Sequence, residues 1–492
     1  MGWGAADSYG GSAGSNGALL VATKRLLFPS YLPDQLPRGV LTVATNVLPA
    51  ADGYRSVGSL VAVSNSLPAT FRGGFATIST DGTTYLLAGT ANGLARYSGG
   101  AWTDLIVGMS VSDRWRFTQF GNFVVAVNGV ETKQVDLNAG TASNLTECPS
   151  ANGVAVVGDY VVITQAAGDK LLVKWSGFND HTEWTPGTNQ SGFQPMLTGG
   201  EIKGIAGGEY GVILQRFRLV RMERTGDATA PFSFSEITPN FGCASSGSIA
   251  QAGRSVFFLS DRGFMALEDG QALKPLGNEK FDQSFRDSVS VDDYEKIYAA
   301  IDPKRSLVMW GVPGVPGRIW VYNWVLDKAS TIEIPFTGIF AAYESSISLE
   351  QVGALYPNLD TMPYSLDDPR FQGGDPRLYV VDRENRIGAL SGPPLQATLS
   401  MGWQALADPM VARVRSVTPM GDAIGGVTIR IDARQRMGDA VGIVTESGMQ
   451  ASGRVPIRAR GRYMAISMIV DAGTRWSYTE GLDVEYNAGG GR

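Results

Sequence analysis

From Gly199 to Gly277 the chain runs twice through the same order of segments. In each half a strand-length run approaches a tight turn, Gly208-Glu209 or Gly253-Arg254, and an apolar run leaves it, Tyr210–Leu214 or Ser255–Leu259. A second turn, a third run and a short edge segment follow. A unit of this size with apolar residues in every run cannot bury both of its faces alone. It must stack on its neighbours, which is the rhythm of a β-propeller blade.

The same signature recurs at Gly121-Asn122 and Gly158-Asp159, and the spacings of the four turn glycines fit blade-sized units with variable loops. A blade over Gly74–Ser98, with Asp81-Gly82 as a hairpin turn, precedes them. Another over Tyr294–Ile334, with its turn at Asp302-Pro303, comes after. A less regular last blade combines Gly338–Tyr343 with Leu378–Leu390. Six and seven blades both fit this count. The competing arrangement is a β-sandwich or an irregular β-rich array without circular closure. Helical composition is confined to Lys280–Tyr298, with Phe281 and Phe285 on one face.

The flanks have other textures. Residues 1–70 read as an extended N-terminal arm, spaced by Pro29, Pro33, Pro37 and Pro49. The propeller is predicted over 71–396, interrupted by a Pro- and Asp-rich insertion at about 351–376. Strand-length runs at Val411–Pro419, Gly426–Ala433, Arg454–Ile457, Arg462–Val470 and Leu482–Tyr486 predict a C-terminal β-sandwich over 397–492. The fold class is therefore all-β. Glycine at 62 residues in 492 and charged residues at only 18% suit short strands and tight turns better than ion-paired helices.

Composition narrows function as well. A formal net charge of −6 argues against a groove built to hold nucleic acid by counterion release. Cys148 and Cys243 have no metal-binding spacing and read as two buried thiols, although one disulfide fits the count. The first residues lack a basic segment followed by an apolar one, so no secretion signal is expected, and no run of about 18 apolar residues predicts a membrane span.

Candidates for chemistry are few. His181 is the only histidine, so any Ser-His-Asp or Cys-His relay would pass through it, and a hydrogen-bonded turn histidine is the plainer reading. A propeller glycosidase could draw two acids from different blades, with Asp81, Asp159, Glu209 and Asp261 at turn positions. Trp175, Trp184, Trp310, Trp320 and Trp324 could form a sugar platform or pack between blades. No catalytic, cofactor-binding or metal-binding residue is assigned, and the chain is read as a non-enzyme. Lysine disappears after Lys328, leaving the last domain with arginine alone. Arg454, Arg458, Arg460, Arg462 and the terminal Arg492 suit a subunit interface with carboxylate partners, and a genome with biased codon usage would produce the same preference for arginine.

Ala44-Thr45-Asn46-Val47-Leu48-Pro49, followed by Gly53-Tyr54-Arg55, resembles the opening of tail proteins from short-tailed phages. Trp175-Ser176-Gly177, Glu183-Trp184-Thr185, Gly207-Gly208-Glu209-Tyr210-Gly211, Arg262-Gly263-Phe264, Arg460-Gly461-Arg462-Tyr463 and Gly481-Leu482-Asp483-Val484-Glu485 continue the resemblance in order, from about residue 30 to the end. The family is the tail nozzle, tail hub or packaged-DNA-stabilisation proteins of podovirus-like phages. It implies a structural protein of the virion tail, made in the bacterial host cytoplasm. Its propeller subunits form a homo-hexameric ring beneath the portal and adaptor proteins. The ring's channel retains the genome and conducts it at ejection, touching DNA without sequence-specific binding. Tail fibres, a needle and the host envelope are further expected contacts. The insertion at 351–376 departs from that pattern. A tail-tip propeller that binds a receptor or glycan is the alternative, and a polysaccharide depolymerase a third reading.

Overall fold

The structure is a computed structural model that describes residues 21–80, 82–98, 100–343 and 376–489. Asp81, Arg492 and the insertion through residue 375 lie outside the described residues. The described chain folds as an all-β propeller of seven four-stranded antiparallel blades. Blades 1 to 6 run in chain order over 71–106, 116–144, 153–195, 202–238, 250–275 and 298–336. The seventh takes Gly338–Tyr343, Pro376–Val381 and Arg386–Ala389, then borrows Val61–Ser66 from the N-terminal segment as its outer strand.

The turn glycines explain why the blades form where they do. Gly121, Gly158 and Gly253 have φ between 57° and 59°, the left-handed region that a tight hairpin turn requires and that glycine enters without steric cost. The apolar strands that follow, such as Tyr160–Thr164 and Gly211–Gln215, are buried at every position, because each blade is covered on both faces by its neighbours. Seven hydrophobic clusters fill the seven seams. Phe71 of blade 1 stacks on Phe340 of blade 7 with ring centroids 5.7 Å apart, so the circle closes.

The N-terminal segment is drawn into sheets instead of lying across the surface as an arm. Val21–Leu27 pairs along its whole length with Tyr478–Gly489, while Leu41–Thr45 pairs with Ala397–Met401. Val47–Ala50 and Gly53–Ser56 form a hairpin that joins the same sheet as Val21–Leu27. The C-terminal strands therefore do not make an independent unit of residues 397–492. One of their sheets is completed by N-terminal strands, and the other continues from blade 6 through the bridge Thr45–Thr331. Residues of both sheets, among them Leu41, Tyr54, Ile429, Ile457 and Val484, share one cluster with the seam between blades 5 and 6. The predicted helical stretch is a seven-residue helix, Asp282–Ser288, whose Phe285 is sealed against Phe264 and Trp320 in that seam. No helix among the described residues is long and apolar enough to cross a membrane.

Candidate functional site

The first strands of successive blades line the propeller axis, and a charged network crosses that axis where these strands begin. Arg114, just ahead of blade 2, reaches blade 6, donating to the carbonyls of Ile297 and Glu295 with its guanidinium 3.7 Å from the Tyr298 ring centroid. Arg116 donates to Ser246 Oγ at 2.9 Å, and Ser246 Oγ in turn donates to Glu295. Lys203 of blade 4 bridges Glu201 and Glu295 at 2.5 and 2.8 Å. The links from Arg114 to Ile297 and Glu295, from Arg116 to Ser246 and from Lys203 to Glu295 are chords between non-adjacent blades, so the hub is tied across as well as around. Burial pulls both guanidinium groups below the usual arginine value. It also works to raise the Glu295 carboxyl, but the Lys203 ammonium and Ser246 outweigh it and hold that group below its ordinary range. The network can stiffen the wheel. It also places side chains where an open axial passage would run.

The turn acids occupy the seams between blades. Asp159 of blade 3 pairs with Arg224 of blade 4 at 2.5 Å, and Glu209 of blade 4 pairs with Arg254 of blade 5 at 2.7 Å. Asp261 accepts two hydrogen bonds, at 2.6 and 2.7 Å, from Arg216 across the same seam. Asp159 and Glu209, with Tyr210, Arg221, Arg224 and Arg254, line a basin of about 1300 Å³ over blades 3 to 5, at the end opposite the hub network. Its charges are largely matched within its own wall, and Arg221 lies 4.2 Å over the Tyr210 ring. A solvated depression with balanced charge and one aromatic face can take a polar, uncharged ligand.

The other sequence candidates are packing residues. Trp175, Trp184, Trp310 and Trp320 are buried, and Trp324 lies against Phe257. The indole N–H groups of Trp175, Trp184 and Trp310 each donate to a backbone carbonyl (Gln190, His181 and Ser248). They cap loops and seams and offer no exposed sugar platform. His181 is buried against Phe123, with Nε2 2.8 Å from Gln134 Oε1 of blade 2, and burial lowers its basicity. Cys148 and Cys243 are free and buried in different seams, and burial pushes each thiol up to about 12. Among the described residues no group of three His, Cys, Asp or Glu side chains is gathered as a metal site.

The arginines of the last strands divide into two kinds. Arg454 is paired with Glu485, and Arg462 donates to Asp408 at 3.4 Å while lying over Tyr463. Arg458 and Arg460 behave differently. The strand Val455–Gly461 alternates buried and exposed along its whole length, which puts both arginines on the outward face. The adjacent strand Val411–Gly421 presents Arg413 and Arg415 on that face, with Arg413 directly opposite Arg460. Arg415 sits at a bulge between Val414 and Ser416, across from the stretch that holds Arg458. None of these four side chains has an ion-pair or hydrogen-bonding partner among the described residues. Arg413 and Arg415 were not legible as site residues, since only strand register brings them beside the later pair.

No family model matches the chain. No curated protein matches it either. Solved structures resemble it at low identity. U3-55K aligns at 10% identity over 57% of this chain and 87% of its own, with a TM-score of 0.36. The extracellular domain of BT4673 from B. thetaiotaomicron aligns at 9% identity over 80% of this chain and 46% of its own, at 0.41. BBS1N in complex with ARL6DN aligns at 11% over 68% and 96%, at 0.38.

Proposed function

We propose that the chain is a structural subunit of a phage tail, a nozzle-type ring protein whose assembled copies form a conduit that retains and then conducts the genome. The observation that carries this reading is the cross-tied hub. A propeller whose axis is bridged from blade 2 to blade 6 is a rigid block and a poor conduit by itself, so the passage belongs between copies. The ordered motifs from Ala44-Thr45-Asn46 to Gly481-Leu482-Asp483 support the same family reading. Homo-hexameric packing, contact with adaptor proteins and sequence-independent contact with DNA follow from that reading. A low-resolution reconstruction of the tail of the virion that carries this chain tests it. A closed ring of propeller-sized bodies below the portal is expected, and a single copy at the tail tip would overturn it.

The basin over blades 3 to 5 favours one second reading, a tail-tip propeller that binds a neutral glycan. Glycan-array binding that is lost in Tyr210→Ala would support it. Array binding that survives this substitution, or no binding at all, would count against the basin.

A further inference from the structure

The four outward arginines make a flat two-by-two grid. Side chains directly opposite one another on neighbouring strands lie about 5 Å apart at Cβ, and like charges so placed destabilise the sheet. Arg413 and Arg460 stand in that relation. The carboxylates nearest along the sheet are already engaged, Asp483 by Arg25 and Glu485 by Arg454 and Ser416. Arginine on Val455–Gly461, the last strand of its sheet, would by itself guard that edge against unwanted strand pairing. Arg413 and Arg415 lie one strand in, where no such guard is needed. Four exposed guanidinium groups in fixed register, unpaired among the described residues, therefore form a surface open to a partner outside the subunit. Planar forks of this kind suit carboxylates in bidentate geometry.

We propose that the grid of Arg413, Arg415, Arg458 and Arg460 seats an acidic surface of a second copy of this chain. The inference rests on the ring-forming reading above and names the contact that holds the ring. The chain supplies its own complement. Residues 397–492 hold 11 arginines against 9 aspartates and glutamates, whereas residues 1–396 carry a formal net charge of −8. A grid on the C-terminal sheets meeting the acidic remainder of a neighbour is a head-to-tail contact, the kind that generates rings when its rotation closes. A free polyanion is the less favoured occupant, because the whole chain, at −6, repels it at long range.

The test uses the full chain and its variant R413E/R415E/R458E/R460E, with R413Q/R415Q/R458Q/R460Q as a milder second variant. Mass is read by analytical ultracentrifugation at about 50 mM and about 500 mM salt, where screening of exposed charge pairs differs most. Far-ultraviolet circular dichroism checks that each variant is folded. The wild type is expected to form multimers at low salt and to shift towards monomer at high salt. The glutamate variant is expected to stay monomeric at both, and the glutamine variant to assemble at least about tenfold more weakly. Wild-type assemblies that survive in both variants would overturn the grid as the contact and leave the ring reading standing. A wild-type monomer that binds a short DNA duplex through these arginines would replace the second copy with a polyanion. A monomer that binds neither would overturn the proposal altogether.

Discussion

At the scale of single residues the fold depends on polar groups that burial makes costly to leave alone. Asp282 is 3% exposed and wedged beside Gly263 and Gly277, where an added Cβ would collide with its carboxylate oxygens. It accepts the Phe264 N–H at 3.1 Å, and burial still pushes its carboxyl up to about 6. The folded state therefore holds this proton more tightly than the unfolded chain. Its stabilising effect is complete below about pH 4 and is lost as pH rises through 6, a change of about 2–3 kcal/mol. Asp282→Asn keeps an acceptor for Phe264 and removes the titration. Urea unfolding at successive pH values should show the variant gaining on the wild type by that amount between pH 4 and 7, and a constant difference would refute the assignment. Arg114 makes the complementary case. Arg114→Met leaves two carbonyls and the Tyr298 face without their cation, and about 2–3 kcal/mol of stability should be lost in the same assay.

At the scale of elements, what could be read in the sequence follows from which strands carry their own signal. The second strands of most blades, such as Tyr160–Thr164 and Ser255–Ser260, are apolar and follow turns made by glycines in the left-handed region, so they are legible. Outer strands such as Thr141–Asn144 and Ala272–Pro275 are short and mainly exposed, with no alternation to mark them. Val61–Ser66 is the extreme case, because it precedes blade 1 in sequence yet pairs with Arg386–Ala389 at the end of the propeller's sequence, and its role exists only in that register. The site divides on the same principle. Arg458 and Arg460 are visible as close neighbours in sequence, while Arg413 and Arg415 join them only through pairing of the two strands. The borrowed strand also yields a prediction. A Cβ on Gly388 would stand 2.7 Å from the Val61 carbonyl oxygen, so Gly388→Ala should loosen this latch without disturbing the other six blades. Hydrogen exchange should speed up at the amides of 61–66 and 386–389 and stay unchanged in blades 3 to 5. Uniform acceleration would mean that the propeller is a single opening unit.

At the scale of the whole molecule, the decisive fact is that the first described strands share their sheets with the last ones. A boundary near residue 396, where the texture of the sequence changes, suggests a propeller that could stand alone. The pairing contradicts such a cut. Removing residues 397–492 would strip Val21–Leu27 of its only strand partner among the described residues and Leu41–Thr45 of its antiparallel one. It would also expose the shared cluster at Leu41, Tyr54 and the seam of blades 5 and 6. An apolar surface of that size, edged by unpaired strands, is an aggregation site. A chain stopped after Gln396 should therefore be insoluble or bind a hydrophobic dye, and the full chain should unfold in a single calorimetric transition whose van't Hoff and calorimetric enthalpies agree. Two separated transitions, or a soluble truncated propeller with a sharp melt, would show that the stitching is not what holds the halves together. The continuity matters for the arginine grid as well. A neighbour's pull on the strand Val455–Gly461 reaches Val411–Gly421, Tyr478–Gly489 and Val21–Leu27 through successive ladders, and the shared cluster carries it into the propeller. A ring built through that surface would load every subunit through its core.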